Sequence, residues 1–247
     1  MKSDPKERYL AIDIGGSHIK STILNMDGEM QIEYQKITTP KNATPDQVIE
    51  SIATLIKDFS EYDKISIGFP GFIKNGVVQT APNLNNKAFK NFNLSQAIAS
   101  KFNKPVRLVN DADMQGLGVV SRVGLEMVIT LGTGFGTALF MDGKLLPHLE
   151  LAHLPVRKGM DYDDFIGDKA LEADGLEKWN AKLKEVLETF SAVINYDSLF
   201  LSGGNAKKIN FDLDKNIKLV GNRDGIKGGM FLWKEEDGYC VRTVNPI

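Results

Sequence analysis

Residues 11–30 read AIDIGGSHIKSTILNMDGEM, and residues 128–145 read VITLGTGFGTALFMDGKL. The two stretches share one plan. Each starts as an apolar strand, turns on glycines, returns as a second apolar strand, turns again at Met-Asp-Gly and enters a third. The first copy is two residues longer between Asp13 (Thr130 in the second) and the aspartate of its Met-Asp-Gly turn. One short segment often matches by chance. A match that keeps hairpin, turn type and order reads as an internal duplication. The chain is therefore expected to hold two α/β domains, each opening on a glycine-turned hairpin.

The segments around the two hairpins fit that plan. Tyr9 to Ile14 is a buried strand, Ile19 to Met26 its partner, and Met30 to Ile37 a third extended segment. Pro45 to Phe59 places Val48, Ile49, Ile52, Leu55, Ile56 and Phe59 at helical spacing. Strands are expected at Lys64 to Gly68 and Val106 to Asn110, and helices at Leu94 to Phe102 and Ala112 to Val120. After the second hairpin come helical stretches at Asp161 to Ala173 and Leu176 to Ile194. A strand follows at Ser198 to Ser202, a short one at Lys218 to Gly221, and a last helix at Ile226 to Trp233. The expected division is an N-terminal domain, 1–110, rejoined by the C-terminal helix at about 226–247, and a second domain, 111–225.

Composition narrows the function. The chain has 247 residues, 42% apolar and 25% charged, as in ordinary globular proteins. Lys plus Arg is 30 and Asp plus Glu 32, a net charge of −2, which speaks against a nucleic-acid coat or a polybasic membrane binder. The single cysteine, Cys240, builds neither a disulfide nor a CxxC metal site. Met1 to Arg8 is polar and unlike a signal peptide, and no run reaches the length of a membrane span. A soluble, cytoplasmic protein is expected.

Several motifs carry chemistry. In Asp13-Ile14-Gly15-Gly16-Ser17-His18-Ile19-Lys20, glycines between strands let backbone N–H groups approach a phosphate. Asp13, at a strand end, suits a hydrated magnesium, and Lys20 either adds positive charge or points to solvent. Taken alone, the motif is as readily a plain hairpin. Gly132-Thr133-Gly134-Phe135-Gly136 is no Walker loop, since the chain has no GxxxxGK[ST], and no dinucleotide fingerprint, since it lacks the GxGxxG spacing and leads into a strand. Two such loops in duplicated domains would clamp a phosphate chain from two sides. In Asn110-Asp111-Ala112-Asp113, Asp111 is either a helix cap or a general base beside a phosphoryl acceptor; Asp113 is the weaker candidate. His148, Glu150 and His153 lack the HExxH spacing of a zinc site. Glu150 and His153 suit a polyol, or pair locally. Gly203-Gly204 after a strand is a helix start near a nucleotide or a tight turn. Residues 205–227 hold six basic side chains against three acidic ones, either a track for an extended polyanion or a scattered lysine surface.

In this order, DIGGSHIK, GFPG, APN, NDAD, TLGTGFGTALFMDG, ELAH and LSGG resemble the ROK family of sugar kinases, in the actin–hexokinase–Hsp70 superfamily. The likeness runs from Leu10 to about Leu232. Within the family it is nearest in look to the short polyphosphate-dependent glucokinases, in NDADMQGLG, ALFMDGKLLPHLELAHLPVR and NRDGIKGGMFL. The resemblance implies a two-domain actin/hexokinase-like (RNase H-like) fold with a central cleft. It implies phosphoryl transfer from polyphosphate or ATP, with Mg²⁺, to the 6-hydroxyl of glucose. Asp111 falls at the catalytic base, and Asn83, Asn110, Asp111, Glu150 and His153 at sugar contacts. Gly15, Gly16, Ser17 and Lys20 fall at the first phosphate loop, with Asp13 near the metal. Gly132, Thr133, Gly134 and Gly136 fall at the second loop, and Gly203 and Gly204 at the nucleotide side. A homodimer is implied as well.

There are departures from the family pattern. The cysteine-rich zinc loop of many members is missing, so no zinc is expected. ELAH replaces the usual ELGH, which puts Ala152 where the family has glycine. Asp163 and Asp164 have no evident role. The alternatives are an ATP-dependent kinase for another hexose or amino sugar, a non-catalytic sugar-binding protein, and a sugar-responsive regulator. The last would carry a helix-turn-helix ahead of the first loop, and only eight residues precede Tyr9.

Overall fold

The computed structural model describes residues 7–247, so most of the polar stretch Met1 to Arg8 lies outside the described residues. Contacts divide the chain into two compact units, 1–118 with 225–247, and 119–224. Among the described residues no helix is long and apolar enough to cross a membrane.

The first unit is built on β1 (Tyr9–Ile14), β2 (His18–Leu24), β3 (Gln35–Thr38), β4 (Lys64–Phe69) and β5 (Val106–Asn110). They lie in the order β3-β2-β1-β4-β5. The hairpin pairs are antiparallel, and β1, β4 and β5 run parallel. β1 is buried along its whole length, as its continuous apolar run foretells. Helix α1 (Pro45–Ile56) starts in a capping box. Thr44 accepts from the Gln47 amide and Gln47 accepts from the Thr44 amide, with Pro45 in the first turn. Its buried stripe, Val48, Ile49, Ile52, Leu55 and Ile56, joins the sheet core with Leu10, Ile12, Ile65 and Ile67. Helix α2 (Leu94–Phe102) is capped by Asn93 and ends at Asn103 in the left-handed region, φ 50°.

Helix α3 (Asp111–Val119) follows β5 without a loop. Residues 111–118, expected with the second domain, lie with the first unit. A Cβ on Gly68 of β4 would meet the Met114 side chain at 3.0 Å and Asp111 Cα at 3.1 Å.

The second unit repeats the scheme with β6 (Leu125–Leu131), β7 (Phe135–Met141), β8 (Lys144–Leu145), β9 (Ser198–Ser202) and β10 (Ile217–Leu219). Their order is β8-β7-β6-β9-β10, the same arrangement with the same parallel partners. Helices α4 (Tyr162–Ile166), α5 (Asp168–Asp174) and α6 (Leu176–Ile194) cover it. The apolar face of α6, Trp179, Leu183, Val186, Leu187 and Phe190, packs on Met127, Ile129, Leu199 and Leu201.

Several expected elements differ. The third strand starts at Gln35, because Met30 makes only an isolated bridge with Leu24. The helix expected over 161–173 is broken at Gly167, whose amide bonds the Asp163 carbonyl. The last helix shrinks to α7 (Gly228–Phe231) and a 3₁₀ turn, Leu232–Lys234. Gly228 lies so close to α3 that a Cβ there would overlap the Met114 carbonyl oxygen. The chain then adds β11 (Thr243–Val244) at the edge of the first sheet, antiparallel to β5.

Candidate active site

In the first unit the strand register gathers the candidate residues at one edge. Asp13 pairs with Gly68, and Phe69 with Asn110. The carboxyl ends of β1, β4 and β5 therefore deliver Asp13, the Phe69-Pro70-Gly71 turn, Asn110 and Asp111 together. Carboxyl ends of parallel strands are where open α/β sheets bind ligands. The Gly15–Ser17 turn leaves β1 at the same edge. The Gly15 amide bonds the His18 carbonyl at 2.9 Å, and Thr39 Oγ1 donates to the Gly15 carbonyl at 2.7 Å. Gly16 lies against Asn83, where a Cβ would come within 3.1 Å of the Asn83 Cβ. Ser17 and Asn83 are exposed.

Asp13 is buried, and Lys20, its cross-strand partner, reaches its Oδ2 at 3.2 Å. Oδ1 remains for a further contact. A magnesium ion takes one or two carboxylates and fills its shell with water and phosphate oxygens, so a lone carboxylate of this kind fits it. No group of three or more His, Cys, Asp or Glu among the described residues is placed to hold a metal by itself.

Asn110 takes the role that a capping Asp111 would have had. Its Oδ1 accepts from the Ala112 amide at 2.8 Å while its Nδ2 donates to the Gly71 carbonyl at 3.2 Å. Asp111 is the first helical residue and half-buried; its Oδ1 also accepts from the Ala112 amide, at 2.9 Å. Asp113, in the first turn of α3, is buried.

In the second unit, the turn Gly132–Gly134 joins β6 to β7, whose first residues are Phe135 and Gly136. Its Gly132 carbonyl accepts from the Asp168 amide at 3.0 Å and lies 3.5 Å from Asn205 Nδ2. Asn205 also donates to Asp168 Oδ1 at 2.7 Å, which ties the Gly203-Gly204 turn to the same loop. Gly203 has φ +92°, and a Cβ there would lie 2.2 Å from the Leu131 carbonyl oxygen. A Cβ on Gly204 would find no atom within 4 Å, so its surroundings are open.

Glu150 precedes a 3₁₀ turn, Leu151–His153, that His153 ends. Glu150 Oε1 is buried and accepts no hydrogen bond; His148 Nε2 lies 3.6 Å away, outside bonding range. A buried acceptor in that state suits a ligand hydroxyl. His153 Nδ1 lies 3.2 Å from Asp161 Oδ2. Burial works against its charge, but the bond to Asp161 and the nearby Glu150 and Asp163 carboxylates outweigh it and raise the imidazole pKa. Ala152 is buried in the apolar core beside Phe165 and Tyr162, so its methyl is housed there. Of the basic side chains after residue 205, Lys207, Lys208, Lys215 and Lys218 are exposed, and Lys218 lies over the Phe200 ring.

Sequence reasoning missed Asp163 and Asp168. The acidic pair at 163–164 stands out in the sequence. Its link to Phe135 of the glycine loop, 28 residues away, leaves no local pattern.

The ROK family pattern matches residues 9–150. A polyphosphate glucokinase of Mycobacterium tuberculosis is 32% identical over 224 residues, 86% of this chain and 82% of that protein. The inorganic polyphosphate/ATP-glucomannokinase from Arthrobacter sp. strain KM matches in structure with a TM-score of 0.83 at 30% identity, over 93% of this chain and 100% of that one. A ROK family glucokinase from Streptomyces griseus, in complex with glucose and AMPPNP, gives a TM-score of 0.74 at 15% identity over 91% of this chain and 98% of that one, a likeness of fold alone. The fold is thus the actin/hexokinase-like α/β fold, and the chain belongs to the ROK family.

Proposed function

We propose that this chain is a sugar kinase that moves a phosphoryl group from polyphosphate or ATP to the 6-hydroxyl of glucose. The observation that carries the reading is the edge of the first sheet, where Asp13, the Gly15–Ser17 turn, Asn110 and Asp111 meet at the ends of three parallel strands. The donor and acceptor are those in the names of the relatives at 30–32% identity.

Phosphoryl transfer asks little covalent chemistry of a protein. It asks for alignment, charge neutralisation and a base beside the attacking hydroxyl. Asp111 takes that hydroxyl's proton; it stands at the start of a helix packed on the sheet, so its backbone is fixed. Asn83, Asn110, Glu150 and His153 hold the other hydroxyls, Glu150 through its unsatisfied Oε1. The turns Gly15-Gly16-Ser17 and Gly132-Thr133-Gly134, with Gly136, bind donor phosphates through backbone N–H groups other than those of Gly15 and Gly132, which close the turns on the His18 and Gly134 carbonyls, and Lys20 adds positive charge. Gly203 and Gly204 line the nucleotide side when ATP is the donor. Asp13 would hold a hydrated magnesium ion, which when bound neutralises charge on the donor phosphates. A cytoplasmic homodimer completes the proposal.

The test is glucose 6-phosphate formation with magnesium, run in parallel with ATP and with polyphosphate. Product from either donor supports the reading; product from neither, across a panel of hexoses, overturns it. Asp111→Asn should lower kcat by about 10²–10⁴-fold while leaving the glucose Kd within about twofold. Full turnover in that variant removes Asp111 as the base.

A further inference from the structure

Thr39 belongs to none of the assignments above, yet it holds two carbonyls of the first glycine turn. It stands one residue beyond β3, where Thr38 pairs with His18. Its amide carries the ladder one rung further and donates to the Ser17 carbonyl at 3.0 Å. Its hydroxyl donates to the Gly15 carbonyl at 2.7 Å. The residue type suits the task. Thr39 is only 4% exposed, so solvent does not compete for its hydroxyl. A β-branched side chain has few rotamers, and Pro40 restricts the residue before it to extended backbone. The brace is stiff before it makes any bond.

A trans peptide sets the carbonyl of one residue and the N–H of the next on opposite sides, and no peptide among the described residues is cis. Thr39 draws the Gly15 carbonyl to its own side and so turns the Gly16 N–H to the other. The Gly15 N–H is itself closed onto the His18 carbonyl, so the first glycine is held at both ends. The second unit holds its turn in the same way with different parts. The Gly132 N–H closes onto the Gly134 carbonyl at 3.1 Å, and the Gly132 carbonyl takes the Asp168 amide at 3.0 Å. Gly15 and Gly132 are equivalent in the repeated hairpins, each two residues after Asp13 or Thr130. A backbone amide at the start of α5 therefore stands where the first unit uses a side-chain hydroxyl. One constraint met twice by unrelated groups marks a requirement of the turn itself.

We propose that Thr39 is a positioning residue for the phosphoryl donor: by holding the Gly15 carbonyl, its hydroxyl directs the Gly16 N–H to the donor phosphates. The effect on turnover rests on the kinase reading, whereas the ordering of the turn stands by itself. Thr39 is assigned no contact with sugar or donor.

Two variants test it. Thr39→Val keeps the branched shape and removes the hydroxyl; Thr39→Ser keeps the hydroxyl. With ATP and with polyphosphate run in parallel, Thr39→Val should raise the KM of whichever donor the wild type uses and lower its kcat/KM by about tenfold. The glucose Kd, read by equilibrium dialysis, should stay within about twofold. Thr39→Ser should recover most of the loss. A merely structural role would not give this split, because a loosened fold weakens both substrates and a hydroxyl in a smaller side chain would not restore it. Amide hydrogen exchange supplies a readout without catalysis: Gly15 should exchange faster in Thr39→Val than in the wild type or Thr39→Ser, with β9 and α6 unchanged.

A weakened glucose Kd with donor kinetics unchanged would mean that Thr39 acts through Asn83, which lies against Gly16, and would overturn the proposal. So would wild-type donor kinetics in Thr39→Val, a Ser variant as impaired as Val, or unchanged exchange at Gly15. If the wild-type chain phosphorylates nothing, the kinase reading fails, and exchange at Gly15 still decides whether Thr39 orders the turn.

Discussion

His153 sits between opposing influences. Burial disfavours the imidazolium, while Asp161 at 3.2 Å and the neighbouring carboxylates favour it and prevail, so the folded pKa lies above 6.5. A group whose pKa rises on folding stabilises the fold fully below its unfolded pKa, and that gain is lost as pH rises through the folded value. The stability difference between the wild type and His153→Gln should therefore be largest at about pH 5 and fade above the unfolded value of about 6.5. Its ceiling is the ~0.2–1 kcal/mol of exposed ion pairs, because 48% of the side chain meets water. Chemical denaturation at several pH values measures it; a gap that widens at alkaline pH would contradict the pairing. The sequence showed His153 as a candidate. It could not show Asp161, since a histidine and an acid eight residues apart meet only through the short hairpin between them. Ala152 makes the same point from the other side: in the sequence it is a methyl in place of the family glycine, and the core that houses it is visible only in three dimensions.

At the scale of elements, the repeated hairpin was the most legible feature of the chain. Alternating strand and turn signals over some twenty residues foretold the three-stranded opening of both units, while the full strand order came only from the structure. Elements held by long-range contacts were less legible. Gly167 breaks a helix with an extended backbone, ψ 179°, and the Thr133 carbonyl leaves its Cβ position no space; no periodicity contains that contact. The Gly203-Gly204 turn shows how two adjacent glycines differ. Gly203 has φ +92° and presses on the Leu131 backbone, whereas Gly204 faces open space. Gly203→Ala should destabilise the protein by about 2–4 kcal/mol, from strain at positive φ and the clash with Leu131. Gly204→Ala should stay within about 0.5 kcal/mol of the wild type. Thermal unfolding of the pair reads the contrast; equal effects would remove the close approach of Gly203 as its cause. The open surroundings also make Gly204, rather than Gly203, the glycine with space beside it for a ligand.

At the scale of the whole molecule, the last residues of the chain return to the first unit, and Arg107 is what fastens them there. It is buried in β5, with Nε on Thr243 Oγ1 at 2.9 Å and Nη1 on the Leu232 and Glu235 carbonyls at 2.6 and 3.0 Å. Its guanidinium lies over the Trp233 ring at 4.7 Å, and the Trp233 Nε1 donates to Ser66 of β4 at 2.8 Å. Three acceptors from a segment over 120 residues away in sequence thus converge on one side chain. Burial of that charge lowers the guanidinium pKa, and the Asp237 and Glu235 carboxylates counter it only in part. Arg107→Met would keep the apolar bulk and leave two carbonyls and a hydroxyl without their donor. The expected cost is about 2–4 kcal/mol, a fall in Tm of roughly 5–15 °C. Arg107→Lys should recover little, because one ammonium cannot span acceptors that a planar fork reaches together. Hydrogen exchange should accelerate first at β11 and along β5, where Thr243 pairs with Arg107. If Arg107→Met keeps the wild-type Tm, the pairing of β11 with β5 and the packing of Gly228 and Gly229 suffice to hold the returning segment, and the buried guanidinium contributes specificity of docking rather than stability.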